Sequence, residues 1–322
     1  MTAKDYILST LEEMASPILT EDIGDIPLED AIFKKVMSKK FRKLRVDEKG
    51  IEITKRAIDN AIEKKEPITV GLLFGGNKLW RFEEAPEIDW AELFSLTYFV
   101  EWIRGIASVY KYGAKLEYYS QDISVESLNN IPRSETDKYS ETFRSMLKFI
   151  KPYIPEGITI TYKRHLEEYK DPDDYLKELE KAKKEVLAEN KGKLPKLDEQ
   201  MKASTELNVK LKPEQADDPQ WREKVELQHQ AIFKTPVLVK YLSDPMLIPA
   251  CPTWYPETIA TGSTKRSYAK FWAAVGVLRL ENDRFVELVL TPNQLKSADF
   301  TWENVDIEGL EGKNFKKIRI IK

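Results

Sequence analysis

The sequence predicts an α/β fold with a Rossmann-like parallel-sheet core, an N-terminal helical cap, a charged helical insertion and a C-terminal α+β region. Three observations predict it. Residues 67–163 run strand, helix, strand, helix, strand, the order of a parallel sheet with right-handed crossovers. Residues 161–230 hold 32 charged side chains among 70. Residues 232–322 return to apolar and alternating runs. The expected divisions are 1–66, 67–163, 164–231 and 232–322.

The cap is read from apolar residues three and four apart: Tyr6, Leu8, Leu11 and Met14, then Ile32, Val36 and Phe41, then Ile53, Ala57, Ile58 and Ile62. Pro67 ends the third helix. Ile68 to Phe74 is almost wholly apolar, as a strand covered on both faces must be. A helix is expected from Pro86 to about Tyr112, with Asp89 as N-cap and Gly113 as the left-handed terminator. Its two apolar stripes imply burial on more than one side. Ala114 to Ser120 alternates as a strand, Ser134-Glu135-Thr136-Asp137 reads as a capping signal, and Ile158 to Tyr162 reads as a third strand. In 164–231, Leu176, Leu179 and Val186 carry only a weak helical stripe, so a solvated lid or hairpin is expected. Further strands are expected at Val237–Tyr241, Val275–Leu280 and Arg284–Leu290, the last two joined by a turn at Glu281-Asn282-Asp283. Lys317–Ile321 is expected to close the sheet at an edge.

The 322 residues carry 51 Lys+Arg against 54 Asp+Glu, a formal charge of −3. That balance offers no broad field for nucleic acid or an anionic membrane, although a local basic pocket stays open. Met1 to Tyr6 has no basic head followed by an apolar run, and no stretch approaches the length of a bilayer span. With one cysteine, Cys251, a disulfide framework is excluded and a cytoplasmic protein is expected. One Cys and two His give no metal-ligand spacing, so metal is disfavoured and only an all-carboxylate site stays open; no cofactor is expected. Catalysis then falls to Lys, Arg, Asp, Glu, Ser, Thr or Tyr. Cys251 is expected to be buried, and His165 and His229 to lie at the surface.

In open parallel sheets ligands sit beyond the carboxyl ends of the strands, here Gly75 to Lys78, Ser120 to Asp122 and Lys163 to His165. Segments at the first two of these ends, and a third before the apolar run 268–277, carry suitable chemistry. In Gly75-Gly76-Asn77-Lys78-Leu79-Trp80-Arg81 the glycines permit close backbone approach, while Lys78 and Arg81 can neutralise a phosphate or carboxylate. The segment is neither a Walker loop nor a dinucleotide fingerprint, and an ordinary strand-to-helix turn is the alternative. Thr261-Gly262-Ser263-Thr264-Lys265-Arg266-Ser267 can cradle an anion with hydroxyls and two cations, or simply cap the next element. In Ser120-Gln121-Asp122 the carboxylate can act as a base or form a turn. Trp80, Trp254 and Tyr255 can line an aromatic pocket.

From Pro67 to about Leu128 the chain resembles the isonitrile (isocyanide) synthase family. The resemblance is carried by a buried strand ending in Phe74, a loop with Asn77 and Lys78, Pro86-Glu87, an acidic helix start with Ala91-Glu92, Ile106 and Tyr110, Gly113-Ala114, and a strand ending in Ser120 near Asp122. It departs from the family's usual Phe-Lys-Ser-Pro-Asn run, which is Phe74-Gly75-Gly76-Asn77-Lys78 here, and from its Ser-Asp-Gly, which is Ser120-Gln121-Asp122. The resemblance implies a Rossmann-like enzyme that converts the amine of tyrosine or tryptophan to an isonitrile, with ribulose 5-phosphate as the carbon source. Lys78 and Asp122 would then be catalytic. Gly75, Gly76, Asn77, Arg81, Ser120, Ser263, Thr264, Lys265, Arg266 and Ser267 would bind substrate or phosphate. Two alternatives stay open: a nucleotide- or sugar-phosphate-binding transferase, and a non-catalytic protein whose charged insertion meets a partner.

Overall fold

In the computed structural model, residues 2–41, 46–75, 82–251, 256–261 and 268–322 are described. Helices α1 (Ala3–Met14), α2 (Leu28–Val36) and α3 (Glu48–Lys64) precede the first sheet. Strand β1 (Ile68–Phe74) leads through α4 (Trp90–Ala107) to β2 (Ala114–Ser120), and thence through α5 (Asp122–Asn129) and α6 (Arg133–Ile150) to β3 (Ile158–Arg164). A long crossover follows, with α7 (Pro172–Glu189), α8 (Glu199–Asn208), α9 (Pro213–Ala216), α10 (Trp221–Ile232) and α11 (Pro236–Leu242). Strands β4 (Leu247–Cys251) and β5 (Ile259–Ala260) complete a five-stranded, wholly parallel sheet in the order β3-β2-β1-β4-β5. Strand order reverses between β1 and β4, which makes the gap beyond their carboxyl ends the topological switch point. The α/β, Rossmann-like expectation is met.

Strand alternation divides the core. Val70, Leu72 and Phe74 of β1 and Leu116 and Tyr118 of β2 join the principal cluster with α4 and α6. Leu73, Tyr119 and Cys251 face the other way, into a cluster with α7, α10 and α11. The charged segment is therefore no solvated lid. On α7 the buried residues are Tyr175, Leu179, Ala182 and Val186, four, three and four apart, while Leu176 is 48% exposed. The charges occupy the outer face of helices whose inner face covers the sheet.

The second sheet has the order β7-β6-β9-β8, from β6 (Val275–Glu281), β7 (Arg284–Leu290), β8 (Phe300–Asn304) and β9 (Lys317–Ile321), with α12 (Pro292–Lys296) after β7. The β6–β7 hairpin forms as expected, and Asn282 and Asp283 adopt the positive φ that its tight turn demands. Lys317–Ile321 is not an edge: it pairs parallel with β6 and antiparallel with β8. Other boundaries also differ from expectation. Val237–Tyr241 is helical, within α11, because Thr235-Pro236 opens a helix whose Leu238 turns inward. The capping signal at Ser134 falls inside the first turn of α6, which starts after Pro132. Helix α4 ends at Ala107, and Gly113 instead opens β2 at φ +78°, where a Cβ would lie 2.1 Å from the carbonyl oxygen of Gly157. Among the described residues no helix is long and apolar enough to cross a membrane.

Helix α4 stands between the layers. Asp89 and Glu92 cap its N-terminus reciprocally, both carboxylates being buried. Trp90 Nε1 donates to Lys317 O of the second sheet (2.9 Å), and Trp102 Nε1 donates to Val36 O of α2 (3.1 Å). Gly276 lets β6 approach: a Cβ there would lie 2.4 Å from Ala91 N and from Trp90 C. Gly276→Ala should therefore destabilise the protein by about 1–3 kcal/mol through backbone overpacking, measured as a lowered midpoint in urea unfolding.

Candidate functional site

The carboxyl edge of the parallel sheet is where the topology directs a ligand. Phe74, Ser120 and Arg164 align as the last row of β1, β2 and β3. Phe74 is buried in an aromatic cluster, its ring centroid 5.1 Å from Phe271 and 5.9 Å from Phe143. Gly75 follows, and a Cβ on it would stand 3.0 Å from the Trp272 ring. Here glycine permits the close approach of backbone to an indole. Thr261, just after β5, is fully buried and donates its amide to Cys251 O (2.9 Å).

Several polar side-chain atoms at this edge are shielded from solvent without a hydrogen-bond partner among the described residues: Ser120 Oγ, Gln121 Nε2, Thr261 Oγ1, Trp272 Nε1 and His165 Nε2. An orphaned buried group costs about 1–3 kcal/mol, so their concentration beyond the strand ends is what a site for a polar ligand would show.

Asp122 is the first residue of α5 and has no solvent exposure. Its Oδ2 accepts from Arg164 Nε (2.5 Å), and its Oδ1 accepts from the amides of Ile123 (2.9 Å) and Leu166 (3.0 Å). Burial pushes the carboxyl above its usual range, and Arg164 with the two amides pulls it back. Burial also opposes the charge on Arg164, yet Asp122 and Asp137, the latter at 2.6 Å, raise its pKa above the ordinary guanidinium value. Both carboxylate oxygens are thus engaged, and the residue expected as a free base or turn former fixes a buried arginine in this conformation.

His165 overturns the surface expectation, being fully buried beyond β3. Its Nδ1 lies 3.3 Å from Ser124 Oγ, and Tyr175 donates to the same oxygen at 3.2 Å. Burial lowers its pKa to about 4, so the ring is neutral at physiological pH. His229 is half-exposed beside Glu226, at 3.4 Å. Cys251 is buried, as expected.

Gly75, Ser120 and Asp122 are therefore placed at the strand ends. Gly76, Asn77, Lys78, Trp80 and Arg81, Trp254 and Tyr255, and Ser263, Thr264, Lys265, Arg266 and Ser267 lie outside the described residues. In sequence these three groups begin within three residues of the ends of β1, β4 and β5, which are adjacent strands in the sheet. Arg319 of β9 ties the chain after the first segment to the second sheet, through a buried ion pair with Glu84 and one with Glu83 at 3.0 Å. Sequence reading put Lys163 to His165 at a strand end but gave Arg164 no role and His165 a surface position, and it missed Trp272 as a site neighbour.

Among the described residues no group of three or more His, Cys, Asp or Glu side chains is placed to hold a metal ion. Neither a known protein family nor a curated protein matches the sequence. The fold is similar to that of the PvcA protein from Pseudomonas aeruginosa, seen in its crystal structure, with a TM-score of 0.61 at 18% identity, covering 92% of this chain and 100% of that one.

Two predictions follow from the buried groups. Asp122→Asn removes the buried one of Arg164's two carboxylate partners, leaving only the half-exposed Asp137. It should cost stability at neutral pH, by less than the about 3–5 kcal/mol of a fully broken buried pair, measured by chemical denaturation. Because the folded pKa of His165 is depressed to about 4, only the unfolded chain takes up that proton as pH falls. Its contribution is complete above about pH 6.5 and shrinks down to pH 4, by about 3 kcal/mol. Stability curves of wild type and His165→Gln should therefore converge as the pH falls across that window.

Proposed function

We propose that this chain is an isonitrile-synthase-like enzyme, acting on the amine of a tyrosine- or tryptophan-type amino acid with ribulose 5-phosphate as the carbon source. The observation that carries the reading is topological. The three segments singled out for Lys78 and Arg81, for Trp254 and Tyr255, and for Lys265 and Arg266 follow the ends of three neighbouring parallel strands, β1, β4 and β5, flanking the switch point. The residue-level resemblance over 67–128 falls on the elements that build this edge, and the fold shared with PvcA runs over nearly the whole chain.

The chemistry asks for a neutral amine, a cationic phosphate site and proton-transfer groups for imine formation and carbon–carbon cleavage. In this reading Lys78 and Arg81, with Lys265, Arg266 and the hydroxyls of Ser263, Thr264 and Ser267, hold phosphate. Gly75, Gly76 and Asn77 bring backbone close to it, and Trp80, Trp254 and Tyr255 take the aromatic side chain. Lys78 is the group for proton transfer. Asp122 acts with Ser120 at the end of β2, holding Arg164 in place and accepting a proton only if that contact opens. No redox cofactor is required.

A transferase that binds a nucleotide or sugar phosphate would use the same edge, and the strand order of the parallel sheet favours it as the second reading.

Incubation of the purified protein with tyrosine or tryptophan and ribulose 5-phosphate should yield, by mass spectrometry, a product with one carbon gained and two hydrogens lost. No such product with any amino acid would remove the leading reading. Thermal shift separates the second, since a ligand that binds only the folded state raises its melting temperature. Lys78→Ala and Lys265→Ala should each reduce the shift given by a sugar phosphate. If both leave it unchanged, the phosphate assignment is wrong.

A further inference from the structure

The face of the sheet turned toward α7, α10 and α11 carries its own polar pair at the same edge. Tyr119 of β2 and His165 beyond β3 are both fully buried, with ring centroids 5.8 Å apart. Tyr119 stacks on Tyr241 of α11 at 4.0 Å, and His165 meets the rings of Tyr169 and Tyr175, each at 5.6 Å. Tyr119 Oη and His165 Nε2 are shielded from solvent, and neither has a hydrogen-bond partner among the described residues.

Their protonation is set by their surroundings. Tyr175 donates to Ser124 Oγ, and His165 Nδ1 can either accept the Ser124 hydrogen or donate to that oxygen; in the first arrangement, which the site requires, the ring's own proton lies on Nε2. Burial keeps the Tyr119 phenol protonated and the imidazole neutral. The pair therefore presents two uncharged donors. Among the described residues the nearby cations are committed: Arg164 to Asp122 and Asp137, and Lys163 to Glu117 at 3.2 Å. Among the described residues the acidic groups near the pair are Asp122 on α5, Glu168 beyond β3, Glu178 on α7, which accepts from Tyr169, and Glu117 on β2. From the described residues an anion would gain no free cation and would meet these carboxylates, whereas a neutral acceptor oxygen suits two neutral donors.

We propose that Tyr119 and His165 form a two-donor site for the uncharged oxygen of a small ligand, of the ketone or hydroxyl type carried by a sugar chain. This rests on the reading above only in making that ligand the carbon chain of a ketose phosphate whose phosphate is held elsewhere on the same edge.

The test titrates the full chain with dihydroxyacetone, a ketone that bears hydroxyls and no phosphate, by ligand-observed NMR, with inorganic phosphate in a parallel titration. Wild type should bind dihydroxyacetone. Tyr119→Phe keeps the ring against Tyr241 and loses only the hydroxyl, so it should bind about three- to ten-fold more weakly; His165→Phe should do the same, and phosphate binding should not change in either. Unliganded Tyr119→Phe should melt at or above the wild-type temperature, because the hydroxyl removed has no partner. The proposal is overturned if wild type does not bind dihydroxyacetone or if both variants bind it as wild type does. It is also overturned if Tyr119→Phe melts lower while its ketone response is intact, which would mark a hydroxyl committed to a structural water. Loss of the isonitrile reading leaves these outcomes legible, because the probe is not a substrate of that reaction.

Discussion

The burial of α4 on most of its sides is the constraint from which the other layers take their positions. Most of its eighteen residues are apolar and inaccessible, so it needs partners around all of its circumference but the stripe of Tyr98, Glu101 and Arg104. The parallel sheet supplies one, α2 another and the second sheet a third. Its N-terminus cannot be solvated at that depth, and Asp89 and Glu92 satisfy it from within. Asp89 Oδ1 also accepts from Gly276 N at 3.3 Å, and Glu92 Oε1 accepts from Tyr139 on α6 at 3.1 Å. One capping box therefore fixes a helix end, a strand of the second sheet and a neighbouring helix.

Above this scaffold the two faces of the parallel sheet differ in kind. The α4 face is packed by aromatic rings around Phe74, Tyr118, Phe143 and Phe271, while the α7 face mixes rings with hydrogen-bonded polar groups such as His165, Ser124 and Tyr175. Both faces end at the same edge. The proposed chemistry needs cations for phosphate and neutral groups for a carbon skeleton, and in that proposal the two faces and the segments after β1, β4 and β5 would divide these tasks between them.

Much of this architecture was legible in the sequence where burial is two-sided. Ile68–Phe74 reads as a strand because every position is covered, and the β6–β7 hairpin reads from alternation and its Asn-Asp turn. Reading failed where local chemistry conflicts with context. Val237-Leu238-Val239 is β-prone yet lies in α11, where only Leu238 is buried. Strand β4 contains Pro249, which argues against an interior strand; it is tolerated because pairing with β5 begins only at Ala250. The apolar face of α7 was hidden by reading Leu176 in place of Tyr175, a shift of one residue that turns the stripe toward solvent. At the site, the glycine and hydroxyl motifs announced themselves by composition, whereas Arg164 and His165 matter through burial, which no local pattern records.

The pairing of β1 with β4 joins residues about 180 positions apart, the kind of contact that slows folding most. During synthesis β1 emerges early and gains β2 and β3 on one side, while its other edge waits for the whole α7–α11 crossover. An unpaired apolar strand is a template for association with other chains. The β1–β4 junction consequently forms late, after most of the helices, so a chain interrupted before β4 would carry β1 to β3, no switch point and an open edge.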